Sequence, residues 1–156
     1  MNLKGCFSHN SDDWATPSDI YKHFIEDCKC IDPCPLNYPS DNRFNIYMHA
    51  NLYINPPYSK INEWVNFIKH NLFYSNTIFL LIPSRTDTKY FHELMHLDCA
   101  IELYFIKGRL KFGDSKLSAP FPSVIIKFYD MGLRGIKKTM FIDRDEVKYI
   151  EPIRKN

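Results

Sequence analysis

The segment "NLYINPPYSK" at residues 51–60 places an asparagine, two prolines and a tyrosine directly after a short apolar run. Proline lacks an N–H and keeps the preceding residue extended, so Pro56 and Pro57 must end the strand that 51–54 begins. The Asn55 side-chain oxygen and the Pro56 carbonyl then offer two acceptors a short distance apart, beside the ring of Tyr58. This set suits a planar heteroaromatic amine, because its NH₂ group has two hydrogens to donate.

Accepting both hydrogens would pull the nitrogen lone pair out of conjugation with the ring and aim it at an electrophile. The Tyr58 ring would stack on the same base, and a base inside a duplex reaches such a pocket only by flipping out. The structural alternative is that 55–58 merely ends a strand and caps the next helix, with Tyr58 packed on Trp64.

Strand and helix patterns alternate along the rest of the chain. Apolar and β-rich runs predict strands at 28–32, 51–54, 77–83, 100–106, 123–129 and, as an edge strand, 138–143. Helices are predicted at 16–27, with Thr16 as the cap and Pro17 at the first position, and at 60–73 and 87–97. This order predicts one α/β domain over 1–156, with a mostly parallel sheet and an antiparallel C-terminal strand.

Polar residues directly follow three of the predicted strands, at Asp32, at 55–58 and at 84–87. In an open α/β sheet the carboxyl ends of the strands are where ligands bind. The three segments are therefore expected to form one rim.

The composition is that of a folded protein, with 45% hydrophobic residues and a formal charge of +2. No run approaches the roughly 20 apolar residues of a membrane helix, and the N-terminus lacks the apolar core of a secretion signal, so we expect a cytoplasmic protein. Five cysteines, an odd number, favour reduced thiols over a disulfide framework. The spacing of Cys28, Cys30 and Cys34 matches no common zinc pattern, and no metal is expected.

Six blocks of the sequence, in this order, resemble the Dam-like family of small DNA N6-adenine methyltransferases from phages and prophages: "DDWATPSDIY", "IDPCPLN", "INPPYS", "LLIPSRTDTKYFH", "IKGRLKFG" and "SAPFPSVIIKF". The resemblance covers about residues 12–129 and leaves a C-terminal extension at 130–156. It implies a reduced Rossmann-like methyltransferase fold that transfers a methyl group from S-adenosylmethionine to N6 of a flipped-out adenine in double-stranded DNA. The biological use, as in restriction–modification, host marking or evasion of restriction, stays open.

The resemblance also implies roles for residues at matching positions. The catalytic motif corresponds to Asn55, Pro56, Pro57 and Tyr58. The cofactor residues correspond to Trp14, Thr16, Pro17, Asp32, Pro33 and Cys34, with the helix start at 16–19 facing the cofactor's carboxylate and Asp32 its ammonium group. DNA contacts correspond to Arg85, Arg109, Lys111 and Lys116, with Asp87 on the rim. Phe112 and Phe121 lie in the same basic loop and would form an apolar wedge or, alternatively, be two core aromatics of a solvated loop.

The sequence departs from a full-size methyltransferase between Asp32 and Asn55. No Gly-rich loop follows the first strand, and this interval is too short for two further strand–helix units. We interpret it as an abbreviated crossover, in which Asp41 is a candidate contact for the cofactor's ribose.

The sequence "HELMH" at 92–96 raises a different class of function. On a helix, His92 and His96 would share a face and bind zinc, with Glu93 as general base of a metalloprotease. A DNA-binding relative without catalysis and a protein-glutamine methyltransferase are further alternatives. The complete catalytic motif argues against the first of these. The absence of a Gly-rich cofactor loop argues against the second.

Overall fold

The computed structural model describes residues 14–35, 45–113 and 117–154. The strands are β1 (Cys30–Ile31), β2 (Asn51–Ile54), β3 (Thr77–Pro83), β4 (Ala100–Ile106), β5 (Ser123–Tyr129) and β6 (Gly135–Ile142). The helices are α1 (Ser18–Lys22), continued by a π-helical turn (His23–Asp27), then α2 (Ile61–Asn71) and α3 (Lys89–Met95), with 3₁₀ turns at Tyr58–Lys60 and Arg144–Tyr149. The predicted α/β class and the order of its elements are confirmed.

The six strands form one sheet in the order β1-β2-β3-β5-β4-β6. β1, β2 and β3 are parallel neighbours, β5 runs antiparallel between β3 and β4, and β6 is parallel to β4. The prediction of an antiparallel C-terminal strand is therefore corrected, because the antiparallel strand is β5. Since β5 already pairs with one edge of β4, β6 reverses direction after β5 and takes the open edge.

The core lies on both faces of the sheet, because side chains alternate along each strand. Leu52 and Ile54 of β2 contact the cluster that includes α2 and α3, whereas Tyr53 contacts the cluster that includes the α1 segment and the turn at 144–149. The apolar residues that recur at helical spacing in the predicted 60–73 helix are buried: Ile61, Trp64, Val65, Ile68 and, just past the end of α2, Leu72. Burial of each such side chain contributes about 1.5–3 kcal/mol.

The start of α1 differs from the sequence-based prediction in one respect. Its N-cap residue is Pro17, and no side chain caps the helix. The Thr16 hydroxyl was expected to cap α1 but hydrogen-bonds Tyr53 and Asn55 of the neighbouring chain segment instead. Thr16 consequently belongs to the rim of the sheet, although a local capping rule had assigned it to the helix.

The chain enters β2 through a segment that is tied to the end of α2. The side chain of Asn71 is completely buried; it accepts a hydrogen bond from the Tyr47 N–H (2.8 Å) and donates to the carbonyls of Asn45 (3.0 Å) and Phe67 (3.2 Å). Buried backbone groups need such partners, because leaving them unpaired costs about 1–3 kcal/mol each.

In the described ranges, no helix is long and apolar enough to cross a membrane.

The Asn71→Leu substitution tests this connection. It keeps the side-chain volume but removes the amide that bonds the Tyr47 N–H and the Asn45 carbonyl, so we expect the free energy of unfolding to fall by about 2–3 kcal/mol. Urea unfolding followed by circular dichroism measures the loss. Asn66→Leu, on the exposed face of the same helix, is the control and should change it by less than about 0.5 kcal/mol. Equal effects of the two variants would contradict the proposed connection.

Candidate functional site

The carboxyl ends of β1, β2 and β3 lie side by side, as expected for parallel neighbours. Ile31 pairs with Leu52, and Ile54 pairs with Leu80, so the residues that follow these strands share one edge. Asp32 and Asn55 therefore lie on the same rim as 84–87, which the sequence had predicted. The loop from β4 to β5 also borders this rim, because β5 runs in the opposite direction to β4.

Asn55 is fixed by hydrogen bonds from both ends of its side-chain amide. The Nδ2 group donates to the Trp14 carbonyl and to the Thr16 Oγ1 (3.0 Å). The Oδ1 atom accepts from the Tyr58 hydroxyl (3.3 Å). Because a backbone carbonyl can only accept, the donor end of the amide must face Trp14, and Oδ1 is left as the acceptor on the other side.

Tyr58 packs beside this amide. Its ring meets the ring of Phe121 edge-on, with centroids 5.4 Å apart and an interplanar angle of 80°. Burial, reinforced by the nearby Tyr90, raises the pKa of Tyr58 well above its ordinary value, so its hydroxyl is a neutral donor. Pro57 precedes the 3₁₀ turn that follows, and the turn positions this ring.

The N-terminal block covers the same site. The Trp14 ring makes edge contacts with Phe112 (5.5 Å) and Phe121 (5.2 Å), and the Ala15 carbonyl accepts a hydrogen bond from the Gly113 N–H (2.8 Å). Phe112 and Phe121 are 4% and 5% exposed, which agrees with the alternative of two core aromatics and not with an apolar DNA wedge. Both phenylalanine rings pack against Trp14, and either ring would have to leave the core to enter a DNA duplex.

Asp32 is a partly buried carboxylate with neutral partners. It accepts hydrogen bonds from the Cys34 N–H (2.8 Å) and the Tyr21 hydroxyl (3.1 Å), and forms no ion pair with another described residue. Burial raises the pKa of Asp32, although both hydrogen bonds oppose the rise. Burial, with the Asp32 charge, also raises the pKa of Tyr21 to about 12. A partly buried carboxylate that has no counter-charge in the described part of the chain is suited to a cationic ligand.

The neighbouring Cys34 thiol is protonated at neutral pH, since burial and then the Asp32 charge raise its pKa to about 12. Burial likewise raises the pKa of Cys28 to about 11. Among the described residues, no cluster of three or more His, Cys, Asp or Glu side chains could hold a metal ion.

Three of the predicted DNA-contacting residues are exposed near this rim: Arg85, Arg109 and Lys111. In the described ranges none of the three forms an ion pair. Arginines elsewhere do, as in Arg144 with Asp19 and the contact of Arg134 with Asp98. Lys116 and Asp41 lie outside the described residues.

The "HELMH" segment does not present the arrangement of a zinc protease. Glu93 forms an ion pair with Lys69, and the helix ends at Met95. His96 is its C-cap residue, with the ring Nδ1 within 2.7 Å of the His92 carbonyl. The candidate general base and one candidate ligand are thus engaged in contacts within the fold.

The fold and the rim define an α/β protein with a fixed amide acceptor beside an aromatic ring. A family model described as DNA N-6-adenine-methyltransferase (Dam) matches residues 41–123. Because this range is more than half of the sequence, the chain belongs to that family, and its class of activity is DNA adenine methylation. No curated protein matches the sequence.

The match divides the predicted site residues into two groups. Residues 55–58, Arg85 and the 109–116 loop lie within it, whereas the block at 14–17 and the segment at 32–34 precede it. The assignments of individual residues to catalysis, cofactor and DNA remain predictions.

Two hydroxyl groups at the site were not singled out from the sequence. Tyr21 lies in the helix predicted at 16–27, and its hydroxyl donates to Asp32. Tyr53 was counted as part of a strand, and its hydroxyl is 2.9 Å from Thr16 Oγ1. The signal for Tyr53 was present, because residues two apart on a strand point to the same face, and Tyr53 is two before Asn55.

The Asp32→Asn substitution tests whether this carboxylate lacks a counter-charge. A pKa raised by folding means that the ionised carboxylate is less favourable in the folded protein than in the unfolded chain. The destabilisation is complete at pH values above the folded-state pKa and is absent at pH values below the unfolded-state pKa. We therefore expect Asp32→Asn to raise the urea midpoint at pH 7, by a margin that shrinks as the pH falls towards about 4. Asp145→Asn, at the exposed first turn of the 144–149 helix, should instead slightly lower stability at pH 7. A loss of stability in Asp32→Asn at neutral pH would show that Asp32 is compensated.

Proposed function

We propose that this chain transfers a methyl group from S-adenosylmethionine to the N6 nitrogen of an adenine flipped out of double-stranded DNA. The observation that carries the proposal is the fixed orientation of Asn55, whose Oδ1 acceptor lies at the rim beside the Tyr58 ring. Membership of the family supplies the class of reaction. A catalytically inactive relative would have no need of an amide oriented in this way.

The chemistry at the amine requires acceptors and no strong base. Asn55 Oδ1 and the Pro56 carbonyl accept the two N6 hydrogens, which directs the nitrogen lone pair away from the purine ring and towards the methyl donor. The nitrogen loses its proton only after it has been alkylated, when it is strongly acidic. Orientation and electrostatic stabilisation therefore account for the rate, as expected where a reacting group is prearranged.

Tyr58 takes part through its ring. Stacking a base on an aromatic side chain contributes about 1–3 kcal/mol, which offsets part of the cost of extrusion from the duplex. The Tyr58 hydroxyl now donates to Asn55 Oδ1 across 3.3 Å, and the incoming amine replaces or shares this bond. Exchanging one neutral donor for another costs little net free energy, about 1 kcal/mol or less.

The residues around Asp32 fit the methyl donor. When bound, S-adenosylmethionine supplies an electrophilic methyl group on a sulfonium, and its ammonium group would be a cation for the Asp32 carboxylate, which has none among the described residues. Asp32 and Asn55 follow adjacent parallel strands, so a ligand bound at one reaches the other. Pro33 is buried beside them, and Cys34 donates its N–H to Asp32. The fold supports interpretation as a reduced Rossmann-like domain, because β1 pairs directly with β2.

DNA is held by exposed cations on the same rim. Arg85, Arg109 and Lys111 are free to contact phosphates, since none forms an ion pair within the described residues. Such contacts release counterions and give affinity that falls steeply with salt.

The first experiment asks whether Asn55 carries methyl transfer. Wild-type protein expressed in cells without adenine methylation should leave N6-methyladenine at one short sequence, which sequencing of the DNA maps. Asn55→Ala should lower the rate of transfer in vitro by on the order of a hundredfold or more while cofactor binding persists. Asn66→Ala, on the exposed face of α2, should retain the wild-type rate. Unmethylated DNA from the wild type, or full activity in Asn55→Ala, would refute the proposal.

A second experiment examines the DNA-binding rim. Arg109→Gln should weaken binding to duplexes of any sequence and reduce the slope of log affinity against log salt by about one. Arg154→Gln removes the same kind of side chain from the opposite end of the strands, where it lies near Glu151. This control should leave both the affinity and the slope unchanged, as measured by fluorescence anisotropy between about 50 and 200 mM salt. An unchanged slope in Arg109→Gln would remove Arg109 from the interface.

A further inference from the structure

The Thr16 hydroxyl joins two side chains that belong to β2 and its exit. Its Oγ1 lies 3.0 Å from Asn55 Nδ2 and 2.9 Å from the Tyr53 hydroxyl. The second hydrogen of the same Asn55 amide goes to the Trp14 carbonyl. We propose that Thr16, together with this carbonyl, is a positioning residue that keeps Asn55 Oδ1 facing the substrate amine; the proposal rests on the proposed function of Asn55.

The orientation of this amide decides whether the site can bind an amine at all. An asparagine side chain has a donor end and an acceptor end of nearly the same shape, so rotation by half a turn exchanges them. In the rotated state, the Asn55 NH₂ would face the adenine NH₂, and two donors would oppose each other. Rotation would also place Oδ1 against the Trp14 carbonyl, where neither oxygen can donate, so that hydrogen bond would be lost. The bond to Thr16 would persist only if the Thr16 hydroxyl turned its hydrogen towards Asn55 and ceased to donate to Tyr53.

Thr16 is itself held in place through Tyr53. Tyr53 is completely buried, and its ring stacks on Phe24 with centroids 4.6 Å apart and an interplanar angle of 15°. A buried phenol needs a partner for its hydroxyl, and Thr16 is that partner. Hydrogen bonds therefore run from Tyr53 through Thr16 to Asn55, anchored at one end in the core.

The main chain on either side of Thr16 is fixed as well. The Ala15 carbonyl accepts from the Gly113 N–H, and the Trp14 ring packs against Phe112 and Phe121. Pro17, which follows, is buried. The acceptors for Asn55 are thus supplied by a braced segment, which is what preorganisation of a reacting group requires.

This role differs from the cofactor contact that the resemblance implies for Thr16. A residue that acts on the cofactor changes the affinity for S-adenosylmethionine. A residue that orients Asn55 changes the rate of methyl transfer once cofactor and DNA are both saturating. The two roles therefore separate in a comparison of the dissociation constant with the single-turnover rate.

The test compares Thr16→Val, which keeps the shape and loses the hydroxyl, with Thr16→Ser, which keeps the hydroxyl. We expect Thr16→Val to slow single-turnover methyl transfer about tenfold with saturating cofactor and DNA. Its dissociation constant for S-adenosylmethionine, measured by calorimetry, should stay that of the wild type, and Thr16→Ser should recover most of the rate. Thr139→Val, on the exposed edge strand β6, is the matched control and should match the wild type in both measurements.

A second measurement needs no activity. In two-dimensional amide NMR spectra, the Asn55 side-chain NH₂ pair is assigned by its absence in Asn55→Ala. In Thr16→Val one proton of the pair should move upfield and exchange faster with solvent, and in Thr16→Ser it should not. Tyr53→Phe, which removes the far end of the hydrogen-bonded series, should shift the same proton less.

The outcomes separate this inference from the proposed function. Unchanged Asn55 amide signals in Thr16→Val would overturn the inference, as would a variant that loses cofactor affinity but keeps the saturated rate. If the wild type methylates no DNA, the proposed function falls. The amide spectra would then still decide whether Thr16 orients Asn55.

Discussion

The site depends on one constraint, which is that the two amide hydrogens of Asn55 are already bonded inside the protein. Their acceptors come from the block at 14–16, whereas Asn55 itself follows β2, so the constraint joins segments that are about forty positions apart in the chain. Because both donors are used, the remaining Oδ1 can only accept. A site that recognises an amine needs this polarity, and the fold provides it before any substrate arrives.

The sheet explains how so short a chain can build such a site. β1 and β2 pair directly, so Asp32 and Asn55 are neighbours on the rim, with no further strand on the β1 side within the described ranges. On the other side, β5 inserts antiparallel between β3 and β4 and brings the loop that follows β4 back over the rim. That loop seats Trp14 through Phe112 and Phe121, which in turn fixes the carbonyl that Asn55 needs.

Sequence reasoning predicted the parts of this structure that local patterns determine. The apolar runs of β3 and β5, the helical spacing of α2 and the break after β2 at Pro56 follow from periodicity and from the chemistry of proline. The partner of the Thr16 hydroxyl and the direction of β6 did not, and the sequence left Phe112 open between a DNA wedge and a core aromatic. Each of these features depends on which distant segment of the chain packs beside the residue. For Thr16, the local rule of helix capping predicted a different hydrogen-bond partner.

Both polar acceptors of the rim, the Asp32 carboxylate and Asn55 Oδ1, are hydrogen-bonded by neutral donors. Asp32 is bonded by Tyr21 and the Cys34 N–H, and Asn55 Oδ1 by Tyr58, so neither acceptor is left bare among the described residues. All of these donors are neutral, and the Tyr58 bond is long at 3.3 Å. Neutral donors can be exchanged at little cost, whereas a cation at Asp32 gains a charge interaction that no described residue supplies. The hydrogen bonds to Asp32 and Asn55 Oδ1 therefore keep both side chains ordered in the free protein. Both acceptors stay available to a ligand whose donor groups fit them better.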